Sequence, residues 1–286
     1  MKLHQSISHL TGKEQNDLRH IAKAIATSLQ PPMVFCYGSR LSQQIRRSCF
    51  LQKKRNESSD AVYDLLIILN DNEPLQESTA ATIVQRIVGD GVKTTVLVYR
   101  LFYVKQQLME GSFFFSWIHR SAILLINRNN IFTQLPPQRK KTKTVAMFTE
   151  TYTEIKRCLE NTKSLLAEVN DKWELQPYAV TLQLIRNAAK EIIKAFIYTG
   201  LGYNADDLSL ETMISLSGNF STVIPGLFPC NTPEEDHLYL LLTDKIILTD
   251  LQPETLLILF ARVKELKQKV NDYLFKNETL LKYTER

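Results

Sequence analysis

The sequence predicts two domains, an α+β domain built on a mixed sheet and, behind it, an all-α helical bundle. Three observations lead there. Strand-length apolar runs alternate with helical periodicity over the first half, whereas the second half is helical in pattern almost throughout. Between them lies a polar, basic stretch with Pro136-Pro137, and paired prolines continue neither a helix nor a central strand. Charge divides at the same place. Residues 1–147 hold 20 Lys and Arg against 10 Asp and Glu, a net +10, while 148–286 hold 15 against 20, a net −5. The expected boundaries are a first domain over 1–133, a basic linker over 134–147 and a bundle over 148–286.

The elements of the first domain follow in order. Thr11-Gly-Lys-Glu14 has capping-box spacing and opens a helix whose apolar stripe is Leu18, Ile21, Ile25 and Leu29. Pro31-Pro32 stops it. Met33 to Tyr37 is a short buried strand, and Gly38-Ser39 is expected to turn out of it into a polar, basic segment. Tyr63 to Leu69 and Thr94 to Tyr99 read as further strands, with a helix between them marked by Ala80, Ile83, Val84, Ile87 and Val88. Val104 to Met109 is a short helix and Ala122 to Ile126 a fourth strand.

In the second half, Thr153 to Val169 and Ala179 to Tyr198 carry long helical stripes, the latter expected to end at Gly200-Leu-Gly202. Leu208 to Leu216 is a short helix. Thr232-Pro-Glu-Glu235 pairs a capping box with Pro at the first helical position and opens a helix to about Leu248. Pro253 opens the last helix, with Leu256, Leu259, Phe260, Val263, Leu266 and Val270 on one face. About five helices then pack as a bundle.

Composition excludes several classes. With 44% apolar and 23% charged residues the chain is an ordinary globular one, not a disordered or collagen-like one. The four cysteines (Cys36, Cys49, Cys158 and Cys230) form no CxxC pair, which speaks against a zinc site or disulfide framework and for a reducing, cytoplasmic setting. The first ten residues lack the apolar core of a signal peptide, and no apolar run approaches membrane-spanning length, so no membrane association is expected. The net +10 of the first half points to an anionic partner such as a nucleotide or RNA.

The chemistry-bearing residues gather around the first strand. Gly38 lets backbone approach a phosphate closely, and the Ser39 hydroxyl with neighbouring N–H groups, Arg40 included, suits phosphate oxygens. Arg46, Arg47, Lys53, Lys54 and Arg55 flank this cleft as candidate phosphate contacts. Phe113-Phe-Phe115 and Trp117 carry two readings, core packing or base stacking.

Over residues 9–130 the sequence resembles the minimal nucleotidyltransferase domain of the DNA polymerase beta superfamily. The matching pieces are His9-Leu10, Met33-Val-Phe-Cys-Tyr-Gly-Ser39, Tyr63-Asp-Leu-Leu-Ile-Ile68, Tyr103-Val104, Gly111-Ser-Phe-Phe-Phe115 and Ala122-Ile-Leu-Leu125. Residues 148–277 are similar to a HEPN helical domain, through Phe196 to Tyr203, Phe228-Pro-Cys-Asn-Thr-Pro-Glu-Glu235 and Ala261-Arg-Val-Lys-Glu-Leu266. Bacterial two-domain proteins join these parts in the same order.

The resemblance implies a site where carboxylates hold Mg²⁺ on a nucleoside triphosphate. Both motifs depart from the family pattern. The Asp-x-Asp pair is reduced to Asp64, since Val62 takes the first place, and the stretch Val98 to Leu101, where a third acid is expected, carries Arg100. The HEPN ribonuclease pattern of Arg followed at short spacing by His is absent, since none of the five His has a suitably placed Arg before it. Asp64 is thus the lone candidate metal ligand, and no residue stands out as catalytic. These departures lead to the expectation of an impaired, nucleotide- or RNA-binding regulatory module, antitoxin-like by analogy alone. The resemblance also implies a homodimer through the helical domain. The alternative is a working Mg²⁺-dependent transferase of nucleoside monophosphate to a hydroxyl, with Asp60 or Glu57 recruited beside Asp64.

Overall fold

The computed structural model describes residue 7 and residues 10–41, 45–48, 61–88, 92–135, 145–171, 177–230, 232–245 and 251–283. The chain divides into two compact units, 1–142 and 143–286.

In the first unit α1 (Gly12–Ser28) starts at the expected capping box: the Thr11 hydroxyl accepts from the Glu14 N–H, and the Glu14 carboxylate accepts from the Thr11 N–H at 2.9 Å. β1 (Met33–Leu41), β2 (Ile45–Ser48), β3 (Ala61–Leu69), α2 (Glu77–Val88) and β4 (Lys93–Arg100) follow. Then come α3 (Leu101–Glu110), α4 (Phe113–Ser121), β5 (Ile123–Asn127) and a 3-10 segment, Arg128–Gln134. The sheet is mixed, as expected. β3 borders β1 antiparallel along its whole length. The other edge of β1 is shared by β5 over Met33–Cys36 and by β2 over Gly38–Leu41, both antiparallel. β4 lies parallel to β3, as the crossover through α2 requires.

Two layers of side chains cover the sheet. On one face Val34, Cys36, Tyr63, Leu65, Ile67, Leu69, Val96 and Val98 pack with Leu18, Ile21 and Ile25 of α1 and Ala80, Val84 and Val88 of α2. On the other, Phe35 and Tyr37 meet Phe132 and Phe114, and Tyr99 stacks on Tyr103 beside Phe115.

One local expectation needs correction, and one element is added. The first strand does not end at Tyr37. It runs through Gly38-Ser39 to Leu41, because β2 rises from the polar segment and supplies a ladder on that edge. The residues after Gly111 form a further helix, α4, to which the sequence pattern had assigned no element.

The second unit holds six helices among its described residues: α5 (Val145–Asp171), α6 (Tyr178–Leu201), α7 (Leu210–Ser217), α8 (Val223–Leu227), α9 (Pro233–Leu242) and α10 (Pro253–Tyr283). α5 begins earlier than its pattern suggested, so 145–147, read as linker, are helical. α6 is the centre, packed against α5, α7, α9 and α10, with its expected stripe fully buried. Gly202, at φ +58°, ends α6 in the left-handed region, and its N–H donates to the Tyr198 carbonyl at 2.8 Å. Gly200 is not a terminator. It lies inside α6, where the Phe220 ring presses on its backbone and stacks on Phe196. Thr232 caps α9 as expected, but the helix stops at Leu242, well short of Leu248. Among the described residues no helix is long and apolar enough to cross a membrane.

Candidate functional site

The site expected around Gly38, Ser39 and Asp64 is governed by a β-bulge. Cys36 pairs with Leu65 and Gly38 with Asp64, so Tyr37 is an extra residue on β1 with no partner on β3. Beyond it the register is Gly38 to Asp64, Ser39 to Tyr63 and Arg40 to Val62.

Cross-strand partners share a face, and faces alternate along a strand. Tyr63 belongs to the α1/α2 face, where its hydroxyl donates to the Asp17 carboxylate at 2.9 Å. Ser39 therefore stands on that face with Tyr63. Asp64 stands on the opposite face with Leu66 and Ile68, and Gly38 stands across from it. The sequence motif is thus separated: the register brings Gly38 to Asp64 and sends Ser39 through the sheet to the other side. Gly38 gives the fully buried Asp64 a neighbour without a side chain. The Gly38-Ser39 backbone is bordered by β2 on one edge and β3 on the other, and this is a sheet ladder, not an open turn.

The parallel register of β4 settles which residues neighbour Asp64 there. Thr95 pairs with Asp64 and Lys93 with Val62, both on the Asp64 face. Arg100, expected at the place of the third acid, pairs with Leu69, five residues or about 16 Å along the strand. Its face is also the other one. There its guanidinium donates to the carbonyls of Asn70, Glu73 and Leu75 and lies 3.6 Å from Glu77. Arg100 thus pins the β3–α2 loop and has no part in the neighbourhood of Asp64.

The resemblance implies Mg²⁺ with a nucleoside triphosphate, and the donors among the described residues do not fit that group. A triphosphate-bound Mg²⁺ takes one or two carboxylates that can reach it beside waters and phosphates. Asp64 is fully buried, and its neighbours by register are Gly38, Val62, Thr95 and Lys93. Lys93, exposed at the start of β4, adds positive charge where a metal site needs negative. No cluster of three His, Cys, Asp or Glu residues occurs among the described residues.

Of the basic candidates, Arg46 and Arg47 lie on β2, in register with Arg40 and Ser39. Lys53, Lys54 and Arg55 fall outside the described residues, as do Glu57 and Asp60.

Two electrostatic features near β1 escaped the sequence. Cys36 is buried, its thiol pushed up to about 12, first by burial and then by the negative charge of Asp64. Tyr63 is raised still further above the ordinary phenol, by burial and by its hydrogen bond to Asp17. The only signal for either was an apolar strand with a polar terminus. His119 packs against Phe132 with ring centroids 4.5 Å apart, and burial lowers its pKa, which favours the neutral imidazole. In the second unit Arg186 is buried and caps α9, its Nε and Nη2 donating to the Leu241 carbonyl at 2.9 and 2.6 Å, with Nη1 2.8 Å from Asp244.

No family model and no curated protein matches this chain. Among solved structures it matches a nucleotidyltransferase-like protein from Exiguobacterium sibiricum 255-15, at 12% identity over 93% of this chain and 79% of that one, with a TM-score of 0.27.

Proposed function

We propose that the first unit is a nucleotidyltransferase-like domain that has lost metal-dependent transfer and serves as a binding module for a nucleotide or RNA. The observation that carries the reading is the register around Asp64: one buried carboxylate, with Gly38, Val62, Thr95 and Lys93 where a transferase needs further acids. Transfer of a nucleoside monophosphate requires Mg²⁺ to bridge phosphates and polarise the reacting oxygen, and one buried carboxylate does not assemble that centre. The net +10 of residues 1–147 supports an anionic ligand in place of a substrate. The bundle then acts as the regulatory or pairing half of the chain.

The test has two arms. Labelled nucleoside triphosphates with Mg²⁺ or Mn²⁺ are incubated with the full chain, and no label should become covalently attached to protein or added RNA. Label that appears with wild type and vanishes in Asp64→Asn overturns the reading in favour of a working transferase. In the second arm, thermal unfolding is followed with each triphosphate in EDTA. A ligand at about 100 times its Kd adds about 2.7 kcal/mol, a visible shift. A shift that persists without metal supports a binding module, and no shift with any nucleotide or short RNA removes the ligand half of the proposal.

A further inference from the structure

Phe113, Trp117 and Arg120 recur at i, i+4 and i+7 along α4 and form one stripe. The Phe113 and Trp117 rings are 5.5 Å apart between centroids and inclined by 35°. The Arg120 guanidinium sits 4.6 Å from the centre of the Trp117 ring. Phe113 is 47% exposed, whereas the next two residues, Phe114 and Phe115, are buried. Trp117 and Arg120 are half-buried. The aromatic run therefore divides: Phe114 and Phe115 build the core, and Phe113 is exposed beside Trp117 at the edge of it. On α3, Phe102 and Met109 are also exposed, at 66% and 53%, seven residues apart and so on one side of that helix.

We propose that the outer stripe of α4 is a stacking platform for the bases of a single-stranded nucleic acid. This deepens the binding reading above and rests on it. Sequence-tolerant strand binders combine aromatic faces, on which successive bases stack, with cations that follow the backbone. Phe113 and Trp117 supply the first and Arg120 the second, its guanidinium already held on an aromatic face. Charge complementarity selects a polyanion over a protein partner: the stripe's own charge is positive, and residues 1–147 carry a net +10.

The chain has two Trp, so Trp173→Phe leaves Trp117 as the only indole reporter. Oligoadenylate of about a dozen nucleotides is titrated into that variant while emission is followed. Stacking should quench Trp117. In the same background Phe113→Ala and Arg120→Gln should each raise the Kd about five-fold or more, with unchanged melting temperature. An abasic strand of equal length should bind more weakly and leave emission unchanged. Equal affinity for the abasic strand, or for wild type and both variants, overturns the platform. So does a loss of self-association in Phe113→Ala with strand binding intact, since the stripe is then an interface between copies. If strands do not bind but triphosphates still shift the melting curve in EDTA, only this inference fails. If neither binds, the binding module itself falls.

Discussion

Arg186 closes the C-terminus of α9 through Leu241. Two of its N–H groups converge on that one carbonyl, at 2.9 and 2.6 Å, and the third side of the fork meets Asp244. The two contacts differ in weight. Arg186 is buried, so an unmet guanidinium or carbonyl there is costly. The Asp244 carboxylate is 75% exposed, and such a pair contributes little in water. Arg186→Met should therefore lower stability by about 2–4 kcal/mol, and Asp244→Asn by less than about 1 kcal/mol. Arg186→Lys should recover only part of the loss, because an ammonium lacks the planar fork. Urea unfolding of the three variants checks the order.

Alkaline pH should weaken the first unit through Cys36. In the unfolded chain the thiol ionises near 9.0, whereas in the fold burial holds it protonated to about 12. The unfolded state thus loses its proton first, and stability falls as pH rises through that window, by up to about 1.4 kcal/mol per pH unit. Tyr63, raised for the same reason, adds to the slope above pH 10. Cys36→Ala should cost stability at neutral pH yet flatten the decline between pH 9 and 11. Cys158, also pushed up to about 12, supplies the corresponding slope in the second unit. Unfolding curves at stepped pH read both.

Glycine inside α6 is a packing requirement. A Cβ on Gly200 would run into the Phe220 ring, which stacks on Phe196. Ala gains about 1 kcal/mol in helix propensity, but overpacking costs about 1–3 kcal/mol. Gly200→Ala should therefore destabilise, and Phe220→Leu in that background should return part of the loss. A double-mutant cycle on melting temperature measures the coupling.

The register around Asp64 makes a constructive prediction. Val62 and Thr95 lie on the Asp64 face, two residues along β3 and directly across on β4. Val62→Asp with Thr95→Asp places three carboxylates together, which repel without metal and gather a divalent ion with it. The double variant should melt lower than wild type in EDTA and regain stability in Mn²⁺. Arg100→Asp should gain no metal response, since Arg100 lies at the far end of the strand on the other face. It should instead lose about 2 kcal/mol, as the carbonyls of the 70–75 loop lose their donor.

Periodicity and end signals made most of the fold legible. Thr11 and Glu14 announced α1, Thr232 and Pro233 announced α9, and the buried stripe of α6 was readable residue by residue. α4 was hidden because it is short and Phe113, Phe114 and Phe115 stand as three consecutive apolar residues, a run that periodicity alone does not assign to helix or strand. The site was less legible. Gly38, Ser39 and Asp64 were visible as residue types, but their faces depend on where one strand carries an extra residue, and no local pattern marks that. The place of Arg100 was misjudged for the same reason: a parallel register is set by pairing across the sheet, which spacing along one chain does not encode.

The extra residue at Tyr37 also has a consequence for variation in this chain. Ahead of it, Phe35 stands on the face of Phe114 and Phe132 and Cys36 on the α1/α2 face; behind it, Gly38 takes the first face by register and Ser39 the second. Losing or gaining one residue there would exchange Gly38 and Ser39 between the two sides of the sheet while every letter of the motif stayed in place. Substitution at the motif and a change of length beside it are different mutations in kind: the first alters a side chain, the second alters which compartment the side chain inhabits.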